Sequence, residues 1–359
     1  ILQKVGARFW IARIMFTWGI LAMGMAFAKS TPIFYGIRFL LGIAEAGFFP
    51  GVLLYLTYWF TAKERARMIA LFMTANAVTY SFGGPISGWI MKTKPLPIFD
   101  GWQQMFLLEG LPAILMAFVV LAYLPNGPKD AKWLTDAEKQ LLEERMAREP
   151  GRSTEHSSFK ETFRIPGVWA LCGTYFLMVS GMYGISLWIP DLIKKMGNFD
   201  AITVGFLCAI PYSASGFVMV ANAVRSDRAG ERRLHIAIPA FIGSAGLAAF
   251  AFFLNQPVPA LIAVTIAAAG MWSILGPFWA WSSVVLAPRG AAALAAGIAL
   301  VNSVGNIGGF AGPYIFGAIT EKTKYGNQGG AFYLAFTVLL GALLVLAMGK
   351  ISQRETKNA

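Results

Sequence analysis

The sequence predicts an all-α integral membrane protein. Hydrophobic residues make up 57% of the 359 residues and charged residues only 13%, and the mean hydropathy is +0.58. Apolar stretches of about 20 residues, which as helices would cross a hydrocarbon layer of ~30 Å, recur along the whole chain. Because a backbone inside a bilayer must satisfy its own hydrogen bonds, stretches of this length and number indicate a bundle of helices.

Four apolar stretches precede the long polar segment of the sequence, and six follow it. The four are residues 9–28, 33–60, 68–91 and 102–124, and the six are residues 168–190, 203–224, 236–254, 260–286, 291–320 and 332–349. We therefore expect ten spans. The predicted domains are an N-terminal bundle (1–124), a cytoplasmic linker (125–166), a C-terminal bundle (167–350) and a cytoplasmic tail (351–359).

The distribution of basic residues predicts which side faces the cytoplasm. With the amino terminus and the linker on the same side, 22 of the 30 Lys and Arg residues lie on that side and 7 on the other. By the positive-inside rule the richer side is cytoplasmic. Both termini and the linker are therefore expected in the cytoplasm, where Thr135 and Glu138 form a capping-box pattern that predicts a short amphipathic helix over 136–148.

Two charged residues stand out within the second apolar stretch. Arg38 and Glu45 are seven residues apart in a helix predicted from Tyr35 to Trp59, so they share one face and lie about 10 Å apart along the axis. Charges within a membrane span are costly and usually functional. A permanent cation can bind an anion, and a nearby acid can bind a proton, so this pair indicates a proton-coupled anion carrier. The alternative is an ion pair that only fixes helix packing.

Other classes of protein find little support in the sequence. Cys172 and Cys208 lie within apolar stretches and are expected to be buried free thiols, and no metal-ligand spacing or Gly-Lys-Ser/Thr phosphate loop is present. We expect no enzyme activity, no cofactor and no metal. The net charge of +12 lies in the connections between spans, so nucleic acid is not an expected partner. A channel is the remaining alternative class, although no pore-lining ring or filter motif is evident.

Several motifs resemble the anion:cation symporter family of the major facilitator superfamily, which includes bacterial tartrate, phthalate and galactonate transporters. The matching motifs are Val5-Gly6-Ala7-Arg8 with Trp10-Ile11-Ala12-Arg13, Arg38-Phe39-Leu40-Leu41-Gly42 with Glu45-Ala46-Gly47-Phe48-Phe49-Pro50-Gly51, Ser226-Asp227-Arg228, and Gly297-Ile298-Ala299 with Asn302, Asn306, Gly308 and Gly309. The resemblance implies two six-helix bundles around a central site. The basic turn after the second span of the later half is similar to the opening of the chain, so this sequence is expected to lack the first two helices.

The resemblance also implies roles for particular residues. It assigns proton coupling to Glu45 and charge balance or substrate binding to Arg38. Polar and aromatic residues of other spans are further candidates for the substrate site. The alternative role of the asparagines is hydrogen bonding between helices, and that of the aromatic residues is anchoring at the membrane interface. These candidates are Asn302, Asn306, Asn76, Tyr183, Trp188, Trp279 and Trp281. Glu109, near the outer end of its span, is expected to be structural.

Charged residues at the cytoplasmic turns are candidates for an inner gate. In this superfamily such residues pair with helix ends when the site is open to the outside. The candidates are Asp227, Arg228, Arg232, Arg8, Glu64 and Arg65. Their alternative role is that of solvated charges that fix the topology.

The predicted function is proton-coupled symport of a small organic anion such as tartrate, phthalate or a sugar acid, across a bacterial inner membrane. Protons are the expected coupling ion and sodium is the alternative, and the expected state is a monomer in the lipid bilayer. A drug or metabolite:proton antiporter is the alternative function, because Gly83-Gly84-Pro85 followed by Gly88 loosely resembles the antiporter glycine signature.

Overall fold

The computed structural model describes residues 5–56, 58–147, 166–197, 199–286 and 291–357. For some helical residues within these ranges, including Arg65 and Asn76, the backbone alone is described. The described residues are overwhelmingly helical, as predicted. By their internal contacts they divide into two compact units, one within residues 1–73 and 87–152 and the other within 74–86 and 153–359. The predicted domain boundaries at 124, 166 and 350 stay a prediction.

The first unit contains helices that pack closely where glycines face each other. The helices are α1 (Ala7–Gly24), α2 (Thr31–Glu45), α3 (Phe48–Leu56), the outer parts of α4 (Ala62–Thr93), α5 (Gly101–Tyr123) and α6 (Asp136–Ala147). A Cβ atom built on Gly19 of α1 would lie 3.0 Å from the carbonyl oxygen of Gly110 on α5, and one on Gly110 would lie 3.1 Å from that of Gly19. These two positions therefore set how closely α1 and α5 approach.

The second unit holds the longer helices and the larger core. They are α7 (Pro166–Met196), α8 (Ala201–Ala229), α9 (Leu234–Phe253), α10 (Pro257–Ser273), α11 (Leu275–Leu286), α12 (Ala291–Lys322) and α13 (Gly326–Lys357). Cβ atoms on Gly308 and Gly312 of α12 would overlap the backbone of α7 at Phe176 and Ser180. The Ser180 hydroxyl donates a hydrogen bond of 3.0 Å to the Gly308 carbonyl oxygen across this contact.

Seven helices in the described ranges are long and apolar enough to cross a membrane. They are Ala7–Phe27, Gly101–Tyr123, Pro166–Met196, Ala201–Ala229, Leu234–Phe253, Pro257–Leu286 and Gly326–Met348. The other three predicted spans correspond to α2 with α3, to α4 and to α12. A multi-pass membrane protein is therefore confirmed, whereas the count of ten spans and the absence of two further helices stay predictions.

The prediction of one continuous helix from Tyr35 to Trp59 was wrong. The helix ends at Glu45, and α3 begins at Phe48. Pro50 has no backbone N–H to donate to the carbonyl oxygen of Ala46, and its ring disfavours the helix that precedes it. A Cβ on Gly47 would lie 3.1 Å from the Trp10 ring of α1, so the break also lets the backbone approach that side chain.

The predicted span 260–286 is also interrupted, at Ile274 between α10 and α11. Pro277 cannot donate to the carbonyl oxygen of Ser273, and Pro239 on α9 cannot donate to that of His235. The side-chain amide of Asn222, on α8, donates to both oxygens, at 2.9 Å to Ser273 and 2.8 Å to His235. One amide group therefore satisfies two carbonyl groups released by two prolines.

A third proline follows the same pattern more weakly. Pro190 on α7 releases the carbonyl oxygen of Ser186, and the hydroxyl of Tyr212 on α8 donates to it at 3.4 Å. Helix α8 therefore supplies side-chain donors to backbone irregularities on three neighbouring helices. Such compensation is what allows proline within membrane helices.

The predicted linker helix is confirmed as α6 and is docked on the first unit. Both Thr135 groups, the hydroxyl and the backbone N–H, donate to Glu138 at 2.8 Å, which completes the capping box. The Arg145 guanidinium lies 3.0 Å from the Glu64 carboxylate at the start of α4. The Trp133 ring stacks on Trp59 with ring centroids 5.8 Å apart. The predicted polar stretch after Pro150 lies outside the described residues.

Replacing Asn222 by Leu should destabilise the second unit by about 1–3 kcal/mol, because two carbonyl groups inside the membrane would lose their donor. The measurement is the thermal unfolding of the detergent-solubilised protein. The matched control is Thr265→Val on α10, since the Thr265 hydroxyl donates to Leu261 of its own helix. Equal stability of the Asn222→Leu and Thr265→Val proteins would contradict the proposed role of Asn222.

Docking of α6 should depend on the ionisation of Glu64. Hydrogen bonds from the Thr61 hydroxyl and backbone N–H, and then the Arg145 guanidinium, lower the pKa of Glu64. The Thr61 bonds are local to the start of α4, so only the part of the lowering that comes from Arg145 is linked to docking. That part stabilises docking while Glu64 is ionised and is lost as pH falls through the lowered pKa. We expect hydrogen exchange of residues 136–147, corrected for intrinsic rates, to lose protection over that acidic interval.

Two variants isolate the contribution of Glu64. Capping hydrogen bonds from Thr135 also lower the pKa of Glu138, so wild-type α6 has two acid-sensitive contacts. Glu64→Gln should therefore remove only part of the pH dependence and weaken protection near neutral pH. The matched control is Glu143→Gln, which breaks the exposed pair with Lys129. If Glu64→Gln and Glu143→Gln gave the same profile, docking through Glu64 would be rejected.

Candidate functional site

Arg38 and Glu45 lie on one face of α2, in the first unit. Gly42 lies between them on this face, and a Cβ built on Gly42 would meet no atom within 4 Å. All three residues are exposed on the surface of their unit. The face therefore offers a cation and a carboxylate with open space between them.

The two charged side chains do not form a close ion pair, although the charge of Arg38 acts on Glu45 through space. Within the part of the chain that the structure describes, no ion pair within 4.0 Å joins Arg38 to Glu45. The Arg38 guanidinium instead lies over the Phe34 ring, 5.7 Å from its centroid, a contact that stabilises by roughly 0.5–1 kcal/mol when exposed. The alternative interpretation of the pair as a packing salt bridge therefore finds no contact to support it.

The end of α2 gives Glu45 an unusual backbone setting. Glu45 is the last residue of α2, and the helical path resumes only at Phe48. Interrupted helices within membranes expose backbone groups that can bind ions or polar ligands. The acid assigned to proton coupling thus lies beside irregular backbone rather than in the middle of a regular helix, as the sequence had suggested.

The second unit brings together part of the predicted polar site. Asn302 is half-buried and Asn306 exposed on α12, and at helical spacing they share a face with Gly309. A Cβ on Gly309 would lie 3.6 Å from the Tyr183 ring of α7, so this aromatic side chain lies next to the asparagine face. Of the other candidates in or near this unit, the side chain of Asn76 lies outside the described residues.

Aromatic side chains of the second unit form two groups. Trp272 lies 6.4 Å, centroid to centroid, from both Tyr183 and Tyr212. Tyr175 lies 4.9 Å from both Phe278 and Trp279.

The remaining tryptophan candidates lie within the core packing. Trp281 is half-buried against the core of the second unit, and the Trp188 indole donates to the Pro313 carbonyl oxygen at 3.2 Å. Trp188 and Trp279 therefore contribute to packing in this structure, whereas their predicted alternative role as interfacial anchors stays a prediction.

The predicted gate residues on the turn between α8 and α9 are largely paired within that turn. Arg232 forms an ion pair with Asp227 and donates to the Ser226 hydroxyl at 3.1 Å. Gly230 adopts a φ of 63°, which favours glycine. Arg228 is exposed.

Glu231 closes the same turn from the other side. Burial acts to raise its pKa, but hydrogen bonds from the Leu234 backbone N–H and from His235 outweigh burial, so the pKa is lowered overall. A charged Glu231 therefore holds the first turn of α9 in place.

The other gate candidates have local contacts in the first unit. The backbone N–H of Arg8 donates to the Asn126 side chain at 3.1 Å, and the Arg8 side chain is exposed. Glu64 holds Arg145 of the linker helix. The side chain of Arg65 lies outside the described residues.

Two further membrane features acquire partners in the structure. Glu109 on α5 accepts a hydrogen bond of 2.5 Å from the Ser87 hydroxyl on α4.

Within the second unit, Gly84 packs directly against Gly205 of α8, because a Cβ on Gly84 would lie 2.9 Å from the Gly205 carbonyl oxygen. Nearby, the Ser213 hydroxyl donates to the Ser81 hydroxyl at 2.9 Å. The glycine motif is therefore a close helix contact.

Sequence reasoning missed three residues that organise the structure around these sites. Asn222 and Tyr212 donate to carbonyl groups released by prolines, and Arg145 binds Glu64. The prolines were visible in the sequence and could have prompted a search for polar donors on neighbouring helices. Which helix would supply them depends on packing that spacing alone does not specify.

The cysteine and metal expectations can also be compared with the structure. Cys172 and Cys208 are buried free thiols. Among the described residues, no group of three or more His, Cys, Asp or Glu side chains is placed to hold a metal ion.

Comparisons with known proteins identify the family. The Major Facilitator Superfamily model matches residues 1–313. A protein of Agrobacterium vitis that carries the provisional name tartrate transporter is 43% identical over 362 residues, which cover 100% of this chain and 79% of the relative. The quinolone resistance transporter of Acinetobacter baumannii is 34% identical over 362 residues, which cover 100% of this chain and 82% of the relative.

A solved structure agrees in fold. The crystal structure of a D-xylose-proton symporter matches with a TM-score of 0.74 at 17% identity, covering 96% of this chain and 81% of that one. At this identity the likeness concerns the fold alone. The family match along most of its length shows that the chain belongs to the major facilitator superfamily, whose members are membrane transporters and not enzymes.

Proposed function

We propose that this transporter couples the uptake of a small organic anion to the movement of protons. The observation that carries the proposal is the exposed face of α2, which presents Arg38 and Glu45 without an ion pair between them. A guanidinium binds carboxylates through paired hydrogen bonds and keeps its charge. The relative named for tartrate transport supports an organic acid as the substrate class.

The two residues take complementary roles in the proposed cycle. Arg38 attracts and orients a substrate carboxylate, and Glu45 binds the proton that travels with it. Protonation of Glu45 removes one negative charge, which lowers the cost of enclosing the site away from water. Asn302 and Asn306 would then contribute amide hydrogen bonds to hydroxyl or carboxylate groups of the substrate.

The proposed location is a bacterial inner membrane, with both ends of the chain and the linker in the cytoplasm. The excess of basic residues on that side, 22 against 7, supports this orientation. Asp227, Arg228, Arg232, Arg8, Glu64 and Arg65 would then all lie at the cytoplasmic face. There we assign Asp227 and Arg232 to the inner gate, because their ion pair could be exchanged for contacts with helix ends.

A drug:proton antiporter is the second candidate function. Two observations favour it, namely the close packing of Gly84 on Gly205 and the relative named for quinolone resistance. In an antiporter, protons that enter down an inward gradient would drive the substrate outward. The direction of the coupled flux therefore separates the two candidates.

In proteoliposomes, an inward proton gradient should drive accumulation of radiolabelled tartrate, phthalate or galactonate, and Glu45→Gln should abolish accumulation above equilibrium. The matched control is Glu109→Gln, which removes another membrane carboxylate but should leave coupling intact. Accumulation by Glu45→Gln would remove Glu45 from proton coupling. Expulsion of a fluoroquinolone on imposing the gradient, with no acid uptake, would establish the antiporter instead.

Replacing Arg38 by Lys should raise the KM for the transported acid by about tenfold and leave the proton dependence in place. Lysine keeps the charge but loses the paired geometry, which is worth roughly 1.4 kcal/mol. Arg38→Gln should weaken transport further. The measurement is initial uptake as a function of acid concentration, with Phe34→Leu as the control that removes the aromatic contact alone. An unchanged KM in Arg38→Lys would reject paired binding.

A further inference from the structure

One end of the second unit contains a polar cavity that the proposed transport site does not use. Its volume is about 320 Å³. It is formed where α7 ends, where α9 ends and where α13 begins. Lys194, Lys195, Lys322 and Lys324 lie at or near these ends and belong to the side that has 7 rather than 22 basic residues. The positive-inside rule predicts that this poorer side faces outward.

The cavity combines amide groups with a cation and an apolar wall. Its polar lining consists of Asn255, Asn327, Gln328 and Lys195, and its apolar lining includes Leu192 and Phe252. Amide side chains offer both donors and acceptors at fixed geometry, which suits ligand hydroxyl groups. The apolar wall suits the C–H face of the same kind of molecule.

Lys195 brings a positive charge that is already partly engaged. Its ammonium lies 2.6 Å from the Asp191 carboxylate. An ammonium carries three donors, so the pairing with Asp191 does not exhaust its hydrogen-bonding capacity. A ligand carboxylate can therefore bind Lys195 beside Asp191.

Asn327 supplies an observation that points to a missing donor. Its side-chain oxygen is buried, and among the described residues no group donates a hydrogen bond to it. Buried polar atoms are almost always satisfied by protein, water or ligand. Because Asn327 lines the cavity, a rotation of its amide would bring this oxygen to a ligand hydroxyl, whereas a carboxylate has no donor to offer it.

We propose that this cavity binds a small hydroxylated carboxylate, at a site built entirely by the second unit. The carboxylate would bind Lys195, and hydroxyl groups would bind the amides of Asn255 and Asn327. Binding here does not depend on transport through the Arg38 and Glu45 site. If the orientation is as proposed, the cavity would collect such acids at the outer face.

The phosphate of a phospholipid head group could also bind Lys195, so the test must separate the two sources. We would use Gln328→Cys as a reporter, because Gln328 lines the cavity and is exposed, whereas Cys172 and Cys208 are buried. The full chain is placed in phosphatidylcholine nanodiscs, which leave both faces accessible. The rate of modification by a hydrophilic maleimide is then measured with sodium gluconate or sodium hexanoate.

Gluconate should slow the modification by about threefold or more at saturation, whereas hexanoate, which lacks hydroxyl groups, should have little effect. Adding Asn327→Leu or Lys195→Met should weaken the gluconate protection by roughly tenfold in concentration. Adding Arg38→Gln should leave the protection unchanged even though it impairs transport. Failure of uptake with intact protection would thus reject the transport proposal and keep the cavity proposal.

Three outcomes would overturn the cavity proposal. The first is equal protection by gluconate and hexanoate, which would mean that hydroxyl groups are not recognised. The second is slow modification that is unaffected by gluconate and becomes faster when lipid is removed. This result would assign the cavity to a phospholipid head group. The third is protection that persists in both Asn327→Leu and Lys195→Met but is lost in Arg38→Gln, which would place the ligand elsewhere.

Discussion

The fold depends on one constraint, that backbone groups inside a bilayer need hydrogen-bond partners. Regular helices meet it by themselves, but prolines within the spans release carbonyl groups. The side-chain amide of Asn222 donates to two such carbonyl oxygens, at 2.8 Å to His235 and 2.9 Å to Ser273. Because those oxygens belong to α9 and α10, a single amide on α8 also holds three helices in register. The interruption between α10 and α11 is therefore a satisfied and rigid feature.

The interruption between α2 and α3 has a different character. Pro50 again releases a carbonyl group, that of Ala46, but here Gly47 brings the backbone against the Trp10 ring. Glu45 ends the helix at this point and is exposed on its unit. This exposure is what the proposed proton binding at Glu45 requires. The two interruptions thus differ, because a side-chain donor bridges the first and an exposed carboxylate lies beside the second.

Much of this organisation could be predicted from the sequence, and what could not has a physical reason. Apolar length and spacing predicted the helices and the shared face of Arg38 and Glu45, and local capping chemistry predicted α6 almost to the residue. The helix break after Glu45 was missed because apolar periodicity continues through it, and Pro50 was read as part of the span. The partners Asn222 and Arg145 were missed because each acts across a contact between helices distant in sequence.

Charge pairing distinguishes several charged residues of the structure from the two that we propose for transport. Glu64 with Arg145, Asp227 with Arg232, and Glu231 with His235 each have a partner in the structure. Arg38 and Glu45 share a helix face, and no ion pair within 4.0 Å joins these two described side chains, although the charge of Arg38 acts on Glu45 through space. A structural role would favour their neutralising each other. Their separation, with Gly42 between them, leaves room for the substrate carboxylate and the proton that we propose at Arg38 and Glu45.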